Sequence, residues 1–149
     1  MDKNHNPGIC FEGIDLLSCR VDRINPDHEL RYHLSLIDLK RSVSEDGNRL
    51  GVVLQFNLMA GVEKPPFEFE CTFASRYSRE EASSMTWEEF TDIMILAHAI
   101  PFVREFIANI TNRLPIPALV LAPINTHLLL AESQERSAPP SAAPSTATT

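Results

Sequence analysis

Apolar and polar side chains alternate with a period of two along four segments in the first half of the chain, which is the pattern of β-strands with one buried face. The segments are residues 9–24, 30–39, 49–59 and 66–77. The third segment is the most regular, and one face of it carries Leu50, Val52, Leu54, Phe56 and Leu58. In the first segment the apolar phase shifts by one residue, which predicts a β-bulge between Gly13 and Ser18.

The links between these segments are short and rich in turn residues. They read NPDHE, SEDGN and AGVEKPP in chain order. Such links fit connections between antiparallel neighbours and are too short to contain a crossover helix. The first half of the chain is therefore predicted to form a four-stranded antiparallel sheet in which successive strands are neighbours.

The period changes to that of a helix in the second half. Thr86, with Glu89 three residues later, forms a capping-box pattern that predicts a helix start. Pro101 either kinks this helix or opens a new one. Beyond it runs a broad apolar stripe, formed by Phe102, Val103, Phe106, Ile107, Ile110 and Leu114. The stripe fits either a core helix or a helix that is partly an oligomer interface, and for subunit packing we single out Phe102, Phe106 and Ile110.

A second, shorter helix is predicted near the end of the ordered chain. Pro115 and Pro117 end the long helix, and Asn125 is a suitable N-cap for a last helix that carries three consecutive leucines. So short a helix is unstable alone, and neighbouring leucines point about 100° apart, so some leucine surface is left uncovered. Residues 1–8 are predicted to be a flexible arm, residues 9–132 the folded domain, and residues 133–149 a disordered Ser/Ala/Pro/Thr-rich tail.

Composition and charge argue against several classes of function. The formal net charge of −7 disfavours nucleic-acid binding and favours a basic protein partner. The three cysteines and five histidines lack metal-ligand spacing, and no glycine-rich phosphate loop occurs, so neither a metal nor a cofactor is expected. With no signal sequence and no long apolar run, we expect a cytoplasmic protein without membrane insertion.

The stretch IPFVREFIANITNRLPIPALVLAPIN, residues 100–125, resembles the signature region of the SecB family of export chaperones. The matching positions are Pro101, Arg104, Glu105, Pro117, Leu119, Leu121, Ala122, Pro123 and Asn125. The resemblance extends more loosely over residues 10–132, because four antiparallel strands followed by a long helix and a short C-terminal helix is the order of elements in that α+β fold.

The resemblance implies both an assembly and an activity. The assembly is a homotetramer, a dimer of dimers with long helices sandwiched between outward-facing sheets. The activity is the ATP-independent holding of unfolded preproteins in apolar grooves and their transfer to the SecA motor. Leu114 stands where the family has Gly, and the first link is shorter than the family's aromatic-bearing crossover. Both features are typical of SecB-like chaperones that accompany toxin–antitoxin modules, where an antitoxin is the client.

Candidate sites follow from this resemblance together with the apolar pattern. The client groove is predicted to draw on Tyr32, Leu34, Phe56, Phe67, Phe69, Leu128 and Leu129. A SecA contact is predicted at Glu68 and Glu70, which lie on the exposed face of the fourth strand. The leading hypothesis is a general holdase. The alternatives are an adaptor dedicated to one partner, such as an antitoxin, and a small hydrolase that uses Cys71 or Cys19, although an enzyme is not expected.

Overall fold

The protein adopts an α+β fold, as the sequence predicts. The computed structural model describes residues 8–22, 32–59, 68–114, 119, 121 and 123–137. Its elements are β1 (Ile9–Asp22), β2 (His33–Val43), β3 (Arg49–Met59), β4 (Glu68–Arg79), α1 (Asp92–Thr111) and α2 (Thr126–Ser137). The four strands form one antiparallel sheet, and the predicted class is confirmed.

The order of strands across the sheet is β1-β4-β3-β2. The links after β2 and β3 do join antiparallel neighbours, but β1 and β2 lie at opposite edges, so the prediction that successive strands are all neighbours is wrong for the first link. Crossing three strand spacings requires roughly 14 Å. Residues 23–32, which separate β1 from β2, reach about 30 Å when extended. A short link therefore does not exclude a crossover along the end of a sheet.

Register shifts bend both edge strands. In the pairing of β1 with β4, they fall between Phe11 and Gly13 and between Leu16 and Ser18. The second shift lies within the range predicted for the bulge, and the first lies just before that range. Gly13 has a φ of 153°, a backbone conformation that residues with a Cβ rarely adopt. The pairing of β2 with β3 shifts as well, between residues 36 and 38, a bulge that the sequence did not reveal.

The hydrophobic core lies between one face of the sheet and α1. Every apolar residue of the β3 face predicted from the sequence is at most 5% exposed. The buried side chains of α1 are Ile95, Leu96, Ala99, Ile100, Val103, Ile107 and Thr111. Among the described residues α1 is the one helix long and apolar enough to cross a membrane by composition, but its buried side chains belong to the hydrophobic core. Each large side chain buried in this way stabilises the fold by about 1.5–3 kcal/mol.

The helix predicted to begin near Thr86 begins six residues later. The N–H of Glu89 does donate to Thr86 Oγ1 at 3.3 Å, and the N–H of Phe90 donates to the Thr86 carbonyl at 3.1 Å. This single turn then breaks, and α1 starts at Asp92. The helix continues through Pro101 to Thr111, so the alternative in which this proline opens a new helix is wrong.

The turn before α1 is fixed to the rest of the protein by side chains. Arg41 on β2 donates to the Trp87 carbonyl oxygen and to Asp92 Oδ1, the latter at 3.1 Å. The Trp87 indole is 7% exposed and belongs to the core. These tertiary contacts hold the chain out of a continuous helix between Thr86 and Asp92, which the local capping pattern could not indicate.

The last helix begins as predicted and ends later than predicted. The N–H of Leu128 donates to Asn125 Oδ1 at 3.1 Å, so Asn125 is the N-cap. The helix continues to Ser137, which corrects the domain boundary placed at residue 132. Arg136 near its end donates to Ser35 Oγ on β2. The composition of residues 133–149 gave no indication of this contact. Residues 1–7 and 138–149 lie outside the described residues.

Candidate functional site

A cleft of about 410 Å³ opens between the start of β2 and the first half of α2. Its lining residues are Tyr32, His33, Leu34, Leu121, Pro123, Ile124, Asn125, Leu128, Leu129 and Glu132. This volume lies within the usual range of ligand pockets, and such pockets combine an apolar lining with a few polar groups. The cleft has the size and chemistry to receive a large apolar side chain.

Two buried leucines line the inner part of the cleft, and an exposed leucine lies at its mouth. Leu34 on β2 and Leu129 on α2 are 5% and 3% exposed, so each shows little surface to solvent. Leu128 is 57% exposed, because it points about 100° away from Leu129 around the helix. An incoming side chain would therefore meet Leu128 first and cover it.

One wall of the cleft contains Tyr32, which is half-buried just before β2. Burial raises the pKa of the Tyr32 hydroxyl above its usual value of 10.0, so the phenol is neutral at physiological pH. A neutral phenol offers a flat apolar surface and a hydroxyl that can donate to a backbone carbonyl. Both properties suit contact with an extended polypeptide.

Another part of the lining is formed by Leu121, Pro123 and Ile124, which follow α1 in the chain. Side chains of α1 make two hydrogen bonds to the backbone of this part of the chain. Arg104 Nη2 donates to the Leu121 carbonyl oxygen at 2.7 Å. The N–H of Leu119 donates to Thr111 Oγ1 at 2.9 Å, and this hydroxyl in turn donates to the Ile107 carbonyl oxygen at 2.7 Å. The wall is thus set by side chains of the long helix.

The cleft unites four of the predicted client residues: Tyr32, Leu34, Leu128 and Leu129. Phe56 is fully buried and Phe69 is 3% exposed. Both lie in the core and neither lines the cleft, which corrects their assignment to the groove. Phe67 lies outside the described residues.

Several lining residues were missing from the predicted groove. His33, Ile124 and Glu132 carried no signal that distinguished them in the sequence. Leu121, Pro123 and Asn125, in contrast, are matching positions of the stretch that resembles the SecB signature. That stretch therefore contributes directly to the cleft.

The residues predicted to join subunits lie on the side of α1 near β1. Phe102 is 40% exposed, and its ring centroid is 5.5 Å from that of Phe11 on β1. Phe106 and Ile110 are half-buried, and the Phe106 ring packs on Phe73 with a centroid distance of 5.5 Å. Only part of the predicted interface is therefore free to meet another molecule.

More apolar surface lies on the neighbouring edge strand. Leu16 and Leu17 in β1 are 43% and 57% exposed. Folded monomers usually protect edge strands with charge or with a covering element. An edge strand that exposes two leucines is typical of a surface that contacts another protein.

Glu68 and Glu70 occupy the other face of the sheet, where their charge is partly compensated. Gln55 Nε2 donates to Glu70 Oε1 at 2.6 Å. The pKa of Arg20 is raised, first by its hydrogen bond to Asp22 and then by the negative charges of Asp22, Glu70 and Glu68. This face therefore presents a mixture of charges in place of an isolated acidic patch.

The cysteines offer little support for a hydrolase. Cys19 and Cys71 lie directly opposite each other on β1 and β4. Burial raises the pKa of Cys71 to about 12 and also raises that of Cys19. A thiol is nucleophilic as the thiolate, so both are poorly reactive at neutral pH. No three His, Cys, Asp or Glu side chains group as metal ligands within the part of the chain that the structure describes.

The fold is similar to that of a chaperone solved with a peptide. The Rv1957 SecB-like chaperone of Mycobacterium tuberculosis, in complex with a ChAD peptide from the HigA1 antitoxin, aligns with a TM-score of 0.64 and 18% identity, covering 78% of this chain and 90% of that chain. A protein of unknown function from Streptococcus agalactiae aligns with a TM-score of 0.43 and 13% identity over 77% and 97% of the two chains, a score too low to support an argument. No protein-family model and no curated protein matches the sequence. The chain has a SecB-like fold.

Proposed function

We propose that the protein is an ATP-independent chaperone that holds a non-native polypeptide segment in the cleft between β2 and α2. The cleft itself carries this proposal, because it gathers Tyr32, Leu34, Leu128 and Leu129 around a space for an apolar side chain. Such a site needs apolar area and no reactive group. The SecB-like fold and the antitoxin peptide bound to the similar mycobacterial protein support the same activity.

The expected affinity of one cleft is modest. Burying one large apolar side chain contributes about 1.5–3 kcal/mol, which corresponds to weak binding when it acts alone. Several clefts in one assembly that hold the same chain raise the overall affinity without new contacts. A holdase of this kind therefore depends on oligomerisation.

The assembly that we propose is a homotetramer, a dimer of dimers, located in the cytoplasm. Phe102 on α1 and the exposed Leu16 and Leu17 on β1 are the candidate residues for the contact between copies. Phe106 and Ile110 would contribute their remaining exposed area. A SecA contact through Glu68 and Glu70 stays a prediction. The positive charge of Arg20 offsets part of the negative charge of both carboxylates, which lowers their attraction for a basic partner.

A second candidate function is that of an adaptor dedicated to one antitoxin. It is favoured by the antitoxin peptide in the similar structure and by the shortness of the first link. Competition distinguishes the two functions. A holdase should release a labelled client when unlabelled, unfolded α-lactalbumin is added in excess, whereas a dedicated adaptor should keep its partner.

The direct test uses a leucine at the mouth of the cleft and a matched residue outside it. We expect the protein to delay aggregation of denatured citrate synthase, and Leu128→Ser to weaken that delay. Val43→Ser is the control, because Val43 is 51% exposed, close to the exposure of Leu128, but lies at the far end of β2. Equal activity of the two variants, or no delay by the unaltered protein, would remove the proposal.

A further inference from the structure

The wall of the cleft depends on a residue that does not line it. Arg104 lies on α1 and is half-buried, and its Nη2 donates to the Leu121 carbonyl oxygen at 2.7 Å. Leu121 lines the cleft and is 8% exposed. A hydrogen bond from a charged donor is stronger than one between neutral groups, so this contact restrains the backbone where the wall forms.

A second contact, about two turns further along the same face of α1, acts on the same part of the chain. Thr111 is fully buried and accepts the N–H of Leu119 at 2.9 Å. Arg104 and Thr111 lie seven residues apart in the sequence, which places them only about 20° apart around an ideal helix. One face of α1 thus holds the backbone at two points, Leu119 and Leu121.

This face is not the one that carries the candidate subunit contacts. At about 100° per residue, Arg104 points roughly 160° away from both Phe102 and Phe106. The contacts agree, since Phe102 meets Phe11 on β1 whereas Arg104 meets the cleft wall. A change at Arg104 can therefore alter the cleft without altering the association of subunits.

We propose that Arg104 is a positioning residue for client binding, which it supports by fixing the Leu121 carbonyl and, with it, the wall of the cleft. The proposal rests on the function proposed above for the same cleft. It assigns a role to a guanidinium that touches no client. It also gives a reason for the hydrogen bonds themselves: α1 holds the backbone at Leu119 and Leu121 before a client arrives, so less ordering is required on binding.

The test compares Arg104→Met, which keeps an apolar stem and loses the donor, with Arg104→Lys, which keeps a charged donor. The probe is fluorescently labelled, reduced and carboxymethylated α-lactalbumin, an unfolded chain. We expect Arg104→Met to weaken binding by about tenfold, which corresponds to about 1.4 kcal/mol, and Arg104→Lys to recover most of it. Arg113→Met removes a charge from an exposed position just beyond α1 and should bind as the unaltered protein does.

Two further measurements separate positioning from general stability and from assembly. The unfolding midpoint followed by Trp87 fluorescence should stay nearly unchanged in Arg104→Met, because the methionine stem keeps the apolar packing of the arginine stem. The native mass from light scattering should also stay unchanged. If Arg104→Met lowers the midpoint and Arg104→Lys fails to recover binding, Arg104 is only structural and the proposal is overturned.

The remaining outcomes are also decisive. If the unaltered protein binds the probe and Arg104→Met binds equally well, the proposed function stands and the role of Arg104 is refuted. If the unaltered protein does not bind the probe, the proposed function fails and this inference fails with it. Should Arg104→Met not fold, Thr111→Val replaces it, because valine keeps the shape of threonine, removes the acceptor for Leu119, and is expected to weaken binding in the same direction.

Discussion

Trp87 donates its indole N–H to the carbonyl oxygen of Gly47 at 2.8 Å. This hydrogen bond joins the turn that precedes α1 to the hairpin between β2 and β3, across 40 residues of sequence. The same turn receives Arg41 from β2. Sheet and helix are therefore connected at this end by polar contacts as well as by the core, and the position of α1 over the sheet depends on them.

Trp87→Phe tests the strength of this connection. Phenylalanine keeps most of the buried ring and leaves the Gly47 carbonyl without its donor, so we expect the free energy of unfolding to fall by about 1–3 kcal/mol. Urea denaturation followed by circular dichroism measures the change. Phe90→Leu is a comparison in which an aromatic contact with Trp87 is lost but the hydrogen bond remains. An unchanged midpoint in Trp87→Phe would show that the bond contributes nothing net.

Asn125→Ala tests the link between the helix cap and the cleft. The substitution removes the acceptor for the N–H of Leu128 and should cost about 1 kcal/mol. The first turn of α2 should then fray, and the affinity for an unfolded chain should fall because Leu128 and Leu129 stand on that turn. Asn125→Asp keeps an acceptor and should retain both helix content and binding. Loss of binding in the aspartate variant as well would contradict a capping role.

Phe102→Asp tests the contact between copies. Phe102 is exposed beside the edge of β1, so a charge there should prevent association and lower the native mass measured by light scattering. Met94→Asp is the matched control, since Met94 is 41% exposed on the same helix but points about 80° away. We expect the control to keep the native mass. Equal behaviour of the two variants would place the contact elsewhere.

The buried thiol of Cys71 should make stability depend on pH. Burial raises its pKa from 9.0 to about 12, with smaller contributions from Cys19 and Glu70. The unfolded chain loses this proton above pH 9 while the folded protein keeps it, so the stabilisation is complete below pH 9 and is lost as pH rises towards 12. We expect a loss of about 1.4 kcal/mol per pH unit within that window.

Urea denaturation of the protein and of Cys71→Ala at two pH values within that window measures this contribution. Cys71→Ala lacks the thiol, so its free energy of unfolding should decrease less steeply with pH, even though the small cavity lowers its stability overall. Parallel curves for the two proteins would show that the thiol does not titrate between the folded and unfolded states as expected.

The sequence predicted the elements well because their signals are local. The β3 face follows from strict alternation, and the start of α2 follows from Asn125 and the leucines after it. The crossover from β1 to β2 was missed because a short link bounds the distance between strands but not which strands pair. The late start of α1 was missed because Arg41 and Trp87 are brought together only by the fold.

Only some residues of the candidate site were predicted, because the sequence pattern shows which residues are apolar but not what covers them. Alternation shows that Phe56 and Phe69 share a buried face, but it cannot show whether a helix or a client covers that face. Leu128 and Leu129 were recognised because three adjacent leucines exceed what one side of a helix can bury. Leu121 was missed as a lining residue because its contact with Arg104 on α1 joins parts of the chain that no periodicity relates.

Under the proposed function, the long helix divides its flanks between two tasks: the flank with Phe102 faces the neighbouring edge strand, and the flank with Arg104 and Thr111 faces the cleft. Substitutions that accumulate on one flank would then leave the other intact. A lineage of such proteins would exchange one clientele for another over evolutionary time while the proposed contact between copies is inherited unchanged.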